Sequence, residues 1–390
     1  MKHWSTYLQK HRGKYINTKF PENAKADIIL VIPCFNEQEL IHTLQSIKSS
    51  KRPKGKLLVA VIINSGLDVN RNVLIQNRLT FTEVERFAVF NNEANLIYFP
   101  LLCEDLPFKH AGVGLARKIG MDLSVDHFYS NSKKGIIISL DADCEISESF
   151  FVSIENEFGK NEKLNCTIQN FHHRVEDDNK DIENAIRQYE MYLRYFSNML
   201  KYIGFPYYYH TIGSAFAVSA DAYVKVGGMG RQQGGEDFYF LQKIFQLGQI
   251  KELQETYVYP MARFSDRVPF GTGPALQKIL DEPDRRIKIY SKHSFFLLKS
   301  LFDIKDIFFK MDENEIIPLL SELHPALQNF LEENNFINSL NDCNNNCSNL
   351  NSYQKRFFHH FNSFKIIKYL NYVHTSIFSY KNIEIDNSKI

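Results

Sequence analysis

Asp141 and Asp143 stand one residue apart at the end of an apolar run, residues 136–140, made of Ile136, Ile137, Ile138, Ser139 and Leu140. A short apolar run bounded by polar residues is what a central parallel strand looks like, because both of its faces are covered. In an open α/β sheet, ligands bind just past the carboxyl ends of such strands. Two carboxylates placed there can converge on one hard cation, whose other ligands are phosphate oxygens and water. An isolated D-x-D is also an ordinary solvated acidic turn, so the weight falls on what stands at the other strand ends.

Several other residues have types and places that suit chemistry. Asp237 follows Gly234, Gly235 and Glu236 at the start of a helical pattern. A carboxylate there can act as a general base, with Gly235 letting the backbone approach an acceptor; it can also be an acidic first turn favoured by the helix dipole. Pro33, Asn36 and Glu37 follow the first apolar run, and Asp68 closes the turn after the second. All four suit a nucleoside pocket, and all four also suit turn and cap chemistry. Arg117 occupies the place where a dinucleotide-binding loop would carry its third glycine after Gly112 and Gly114, which argues against that fold. Arg263 and Arg267 lie in a loop with Gly and Pro, fit for phosphate contacts or for surface ion pairs. His210 is either structural or a contact to an acceptor. Cys343 and Cys347 have no His pair behind them at zinc-finger spacing, so all six cysteines are expected to be free thiols in a reducing compartment.

The elements that must position these residues alternate. Strands are expected at 27–32 (ended by Pro33), 57–63, 94–99, 136–140, 165–172, 214–218 and 256–259. Helices are expected from 38, to about 90, and over 115–125, 147–158, 181–201, 220–226 and 236–245. That alternation predicts an α/β fold with a mostly parallel central sheet flanked by helices and right-handed crossovers. From 281 the pattern turns to amphipathic helices, and 334–352 is Asn/Ser-rich, as an exposed loop or linker would be. The expected division is a domain over 1–280 and a helical C-terminal extension over 281–390. Aromatic residues at 189–202 and 207–209 suit either a sugar-stacking wall or core packing, and the apolar stripe within 295–309 suits either packing on the first domain or assembly.

A formal net charge of +1 gives no global field for nucleic acid or anionic membrane. No apolar run reaches the roughly 18 residues that span a bilayer. Residues 1–15 carry no signal-like apolar core. The expected location is cytoplasmic, with peripheral membrane contact left open.

Taken in order, Pro33-x-x-Asn36-Glu37, the turn 64–68, Gly114-x-Ala116-Arg117, Asp141-x-Asp143 and Glu236-Asp237 resemble the motifs of the family 2 glycosyltransferases over about 27–275. The resemblance implies a GT-A fold and transfer of a sugar from a nucleotide-diphosphate donor to a hydroxyl of a carbohydrate or other acceptor. It implies Mg²⁺ or Mn²⁺ held by Asp141 and Asp143, and donor contacts from Pro33, Asn36, Glu37, Asp68, Arg117, Asp141, Arg263 and Arg267. Asp237 would be the base of an inverting reaction, supported by Glu236, with His210 and Gly235 near the acceptor. The turn 64–68 is poorer in Asp than the family's, and Q-x-x-R-W is absent, so the resemblance is to non-processive members. The Arg263-x-Ser265-x-Arg267 stretch is similar to a loop that closes over phosphates in some members, including retaining ones. The alternatives are a retaining transferase, a nucleotidyltransferase, which would carry a Gly-rich Arg/Lys loop after its first strand, and a non-catalytic carbohydrate-binding scaffold.

Overall fold

The computed structural model describes residues 2–176, 179–264 and 271–383. The chain begins with α1 (Lys2–His11), β1 (Ile28–Cys34), α2 (Leu40–Ser49), β2 (Leu57–Gly66), α3 (Arg71–Asn91), β3 (Leu96–Leu106) and α4 (Val113–Ser130). It continues through β4 (Ile136–Ser139), β5 (Cys144–Ile146), α5 (Phe150–Lys160), β6 (Cys166–Phe171), α6 (Lys180–Tyr202), β7 (Phe216–Ser219), α7 (Ala220–Lys225), α8 (Glu236–Gln246) and β8 (Ile250–Pro260). Then follow α9 (Thr272–Asp281), β9 (Lys288–Ile289), α10 (Lys292–Ile304), α11 (Glu313–Ser321), α12 (Pro325–Glu333), α13 (Phe336–Asn346), α14 (Leu350–His360), α15 (Ser363–Ser376) and β10 (Lys381–Asn382). By its contacts the chain divides into two units, Met1–Ile182 with Thr211–Pro274, and Glu183–His210 with Ala275–Ile390.

The first unit is built on an eight-stranded sheet in the order β3-β2-β1-β4-β7-β6-β8-β5. Every residue of β1 is buried, as are all but the last of β2, which is what their unbroken apolar runs require. β1 pairs parallel to β2 and β4, β2 to β3, and β6 to β8, so four of the seven pairings are parallel; β7 and β5 bring the antiparallel ones. The chain runs outward from β1 to β2 to β3, then returns through α4 to β4 on the other side of β1. The carboxyl ends of β1 and β4 therefore flank a topological switch point, where the crossovers part and leave a crevice.

α4 is buried along most of its length, because α1 covers the face turned away from the sheet. Lys118 and Asp122 on that face form an ion pair at 3.0 Å, and Asp122 accepts hydrogen bonds from Tyr7 (2.6 Å) and Tyr223 (2.7 Å). Arg12 pairs with Asp126, while Trp4 Nε1 donates to Asp221 at 3.1 Å. Buried polar groups cost free energy unless partnered, and this network supplies the partners.

Four expectations need correction. Pro33 does not end β1 but lies inside it, paired with Ile62; the ladder to β4 stops at Val31, so past that point β1 has one neighbour and tolerates a missing N–H. β3 runs on through Pro100 to Leu106 rather than stopping near 99. A short strand, β5, stands between the D-x-D and the helix expected to follow it directly. Residues 334–352 are no linker: Phe336, Leu340 and Cys343 fall at helical spacing, and all three are buried on α13.

In the second unit, Phe302 of α10 sits edge-on to Phe357, Phe358 and Phe361, with ring centroids 5.2–6.1 Å apart. Phe295 stands edge-on to Tyr195 and Phe196, both at 6.1 Å. The apolar stripe of α10 thus packs within its own unit. Among the described residues no helix is long and apolar enough to cross a membrane.

Candidate active site

The D-x-D turn is fixed from three sides. The Leu140 N–H donates to Val31 O at 3.2 Å, the Cys144 N–H donates to Asp141 O at 3.2 Å, and Thr43 Oγ1 on α2 donates to Ala142 O at 2.8 Å. Apolar Ala142 points into the protein, which leaves Asp141 and Asp143 half-buried at the crevice.

Each of the two aspartates meets a different arginine. Arg117, in the first turn of α4, donates to Asp141 Oδ1 at 2.6 Å and pairs with Glu236; Arg117 and Glu236 are each 2% exposed. The segment before α8 must lie directly on α4 for that pair to form. Gly114 allows it, since a Cβ there would collide with Gln232 O and come within 3.0 Å of Glu236 Cγ. Gly213 plays the same part from another side, because its Cβ would lie 2.8 Å from Asp237 Oδ2 and 2.9 Å from Arg117 Nη2. Asp237 Oδ1 accepts the Phe238 N–H at 2.7 Å, which fixes its carboxylate at the start of α8. Burial pushes the carboxyl groups of Glu236 and Asp237 above their ordinary range, although Arg117 pulls the other way.

Arg263 holds the other aspartate. It donates to Asp143 Oδ2 at 2.9 Å and grips both oxygens of Glu37. Glu37 is 1% exposed, and its Oε1 also accepts the N–H groups of Gln38 and Glu39, both at 3.1 Å. These bonds raise the Arg263 guanidinium pKa further, which keeps it charged.

Of the remaining residues singled out in the sequence, Pro33 is buried in β1 and Asp68 is exposed on the turn after β2. Asn36 is exposed with φ +48°, and Gly235 is the N-cap of α8 at φ +72°. His210 is half-buried and ends the Glu183–His210 segment of the second unit. Arg267 lies outside the described residues.

Asn77 is a residue that sequence reasoning missed. It is fully buried on α3, where its Oδ1 accepts the Asn36 N–H at 2.9 Å and its Nδ2 donates to Asn64 O at 3.0 Å. It therefore ties the loop after β1 to the end of β2. Thr80, one turn on, donates to Glu37 O at 3.0 Å. The signal for both was present: polar residues at 77 and 80 occupy the inward stripe of α3 shared with Val84 and Ala88. Beside them the side-chain oxygens of Asn64 and Ser65 are buried with no hydrogen-bond partner among the described residues, and such atoms ask for a ligand or water.

Five carboxylates (Glu37, Asp141, Asp143, Glu236, Asp237) face two guanidiniums, a formal excess of three negative charges among the described residues. A divalent cation at the turn would offset much of it. The donor set fits Mg²⁺ or Mn²⁺: hard carboxylate oxygens, with Cys144 held neutral because burial pushes its thiol pKa well up. Among the described residues no third His, Cys, Asp or Glu donor joins Asp141 and Asp143, so substrate oxygens and water would complete the shell.

No protein-family model and no curated protein matches this chain. Solved structures with some likeness include GalNAc-T7 with UDP, GalNAc and Mn²⁺, at 16% identity over 60% of this chain and TM-score 0.38; this chain spans 44% of that one. They also include residues 1–349 of S. aureus TarS with UDP-GlcNAc, at 11% identity over 86% of this chain and 91% of that one, TM-score 0.41.

Proposed function

We propose that the chain is a glycosyltransferase of the GT-A type, related to family 2, moving a sugar from a nucleotide diphosphate to an acceptor hydroxyl. The observation that carries the reading is the placement of Asp141 and Asp143 at the switch point between β1 and β4, with Asp237 brought to the same crevice by α8. The motif order from Pro33 to Asp237 supports it.

In this reading the nucleoside lies over the ends of β1 and β2, near Asn36, Asn64, Ser65 and Asp68. Asp141 and Asp143 would hold Mg²⁺ or Mn²⁺, which supplies neutralisation of charge on the leaving diphosphate. Arg263 adds charge-assisted hydrogen bonds to phosphate oxygens. Asp237 takes the proton of the acceptor hydroxyl as its oxygen bonds to the anomeric carbon and the bond to diphosphate breaks, which inverts that carbon. A carboxylate with a raised pKa, fixed through Oδ1 at the start of α8, suits this work. Arg117 and Glu236 are buried beneath and position Asp141 and Asp237. Five of the six cysteines are buried and none is in a disulfide, which supports a reducing, cytoplasmic setting.

The test is thermal shift of the wild type and Asp143→Ala with UDP, GDP, dTDP and CDP, with and without Mn²⁺. The expected outcome is a metal-dependent rise with one nucleotide, lost in Asp143→Ala while the unliganded melting temperature holds. Undiminished Mn²⁺-dependent binding in that variant would sink the metal assignment.

A further inference from the structure

The second unit carries a cluster that the proposed transfer reaction does not use. Cys343 and Cys347 lie one helical turn apart on α13, Cys347 being its C-cap, and His360 is the last residue of α14, packed against α13. No His pair of zinc-finger type follows the cysteines, but the fold brings a single His360 to Cys343. Donor atoms of Asp342, Cys343 and His360 all lie within 4.8 Å of one another. His360 Nε2 is 2.5 Å from Asp342 Oδ2. Neither cysteine is in a disulfide.

We propose that Cys343, Cys347, His360 and Asp342 form a structural zinc site that fastens α13 to α14. The donors decide the metal. Two thiolates with an imidazole and a carboxylate are the set that tetrahedral Zn²⁺ takes, unlike the all-oxygen set at the D-x-D. Zn–S and Zn–N bonds of roughly 2.0–2.3 Å place tetrahedral donors about 3.5 Å apart. Asp342, Cys343 and His360 reach that spacing by shifts of about 1 Å, with His360 Nε2 and Asp342 Oδ2 moving apart and wider pairs closing, and Cys347 at the C-cap would swing in as the fourth donor.

Charge bookkeeping agrees. Zn²⁺ with two thiolates and one carboxylate carries a net charge of −1. Arg356 of α14, which donates to Asp342 Oδ2 at 2.6 Å and Oδ1 at 2.9 Å, supplies the +1 that neutralises it. Arg356 thus orients the Asp342 carboxylate from behind, as outer partners of metal ligands do. Asn346 Nδ2 adds a bond to Asp342 Oδ1 at 3.0 Å. Binding releases the two thiol protons to solvent and involves no redox change. The metal would hold in place the Asn-rich end of α13, whose residues 344–346 offer no apolar side chain to the core.

The experiment uses the full-length chain, purified under reducing conditions without chelator. Atomic emission should find about one zinc per chain, by the four-donor count of a closed structural site. Replacement by Co²⁺ should give the thiolate-to-cobalt charge-transfer band and the visible bands of a tetrahedral site. Cys343→Ser, Cys347→Ser and His360→Gln should each lose zinc and weaken the charge-transfer band. Arg356→Gln should keep the band while zinc affinity falls about 10–100-fold. The wild-type cobalt spectrum needs no variant, so a misfolded substitution does not rescue the idea. It is overturned by a metal-free protein with no charge-transfer band, by undiminished zinc in Cys343→Ser or Cys347→Ser, or by a Cys343–Cys347 disulfide in the reduced preparation.

Discussion

Arg117 and Arg263 hold the two aspartates of one turn, yet their surroundings differ. The Arg117 side chain is 2% exposed and that of Arg263 is 30% exposed. Arg117 is enclosed by Asp141, Glu236, Asp237 and the backbone at Gly213, and its Nε has no hydrogen-bond partner. Arg263 reaches across from the end of β8 and stands at the edge of the crevice. A buried ion pair cannot exchange its partner without leaving a charge stranded, whereas a half-exposed one can hand an oxygen over to water or to a phosphate. The comparison teaches that the turn is anchored on one side and adjustable on the other.

The largest effect should fall on the anchored side. Asp237→Asn is expected to cut transfer by about 10²–10⁴-fold, as removal of a positioned base does, with donor affinity unchanged by titration. Loss of donor binding instead would move Asp237 out of the proton-transfer role. The wild-type rate should fall on acidification at a pH above the ordinary carboxylate range, because burial raises Asp237 and Glu236. The same shift has a second reading. The folded state holds these protons more tightly than the unfolded one, so the two groups add stability below their ordinary pKa and lose it as pH rises through the raised value. Denaturant titrations of wild type and Asp237→Asn across that window should diverge in slope.

Next in size is Arg117→Met. It strands Asp141 and Glu236 without a counter-charge, and the expected cost is about 3–5 kcal/mol of stability, read from urea midpoints. A loss under about 1 kcal/mol, the scale of an exposed pair, would erase the distinction between the two arginines. Arg263→Gln should cost less than Arg117→Met, because its guanidinium is 30% exposed, yet more than loss of an exposed pair, because it leaves the buried Glu37 without its counter-charge. Its nucleoside-diphosphate affinity should nevertheless fall about 10–100-fold, the worth of a hydrogen bond to a charged group. Equal destabilisation by both substitutions would show that neither side is adjustable.

The sheet and the D-x-D could be read from sequence because their signals are local: unbroken apolar runs at β1, β2 and β4, each ending in polar residues. Pairings across long separations could not. Arg117 and Glu236 are 119 residues apart and Arg263 and Glu37 are 226 apart, and nothing in either neighbourhood names its partner. Proline misled at Pro33, because a strand with one open side accepts it. Composition misled once: the asparagines of α13 hid the Phe336, Leu340 and Cys343 stripe. At α3 the error was one of kind, since Asn77 and Thr80 fill an inward stripe with hydrogen bonds instead of methyl groups.

The docking of α1 has a consequence for synthesis. Trp4 finds its partner in Asp221, 217 residues further along the chain, and Tyr7 needs Asp122 and Tyr223. At roughly 5–20 residues per second, the ribosome takes about 10–40 s to make that stretch. For that interval Trp4, Tyr7 and Leu8, all buried in the finished unit, stay open to solvent and to chaperones. Ribosome-stalled chains ending before Asp221 should therefore lose α1 to brief proteolysis, and chains extending well past α8 should keep it. On this account α1 settles only after α7 has been made, although it precedes the sheet that it covers.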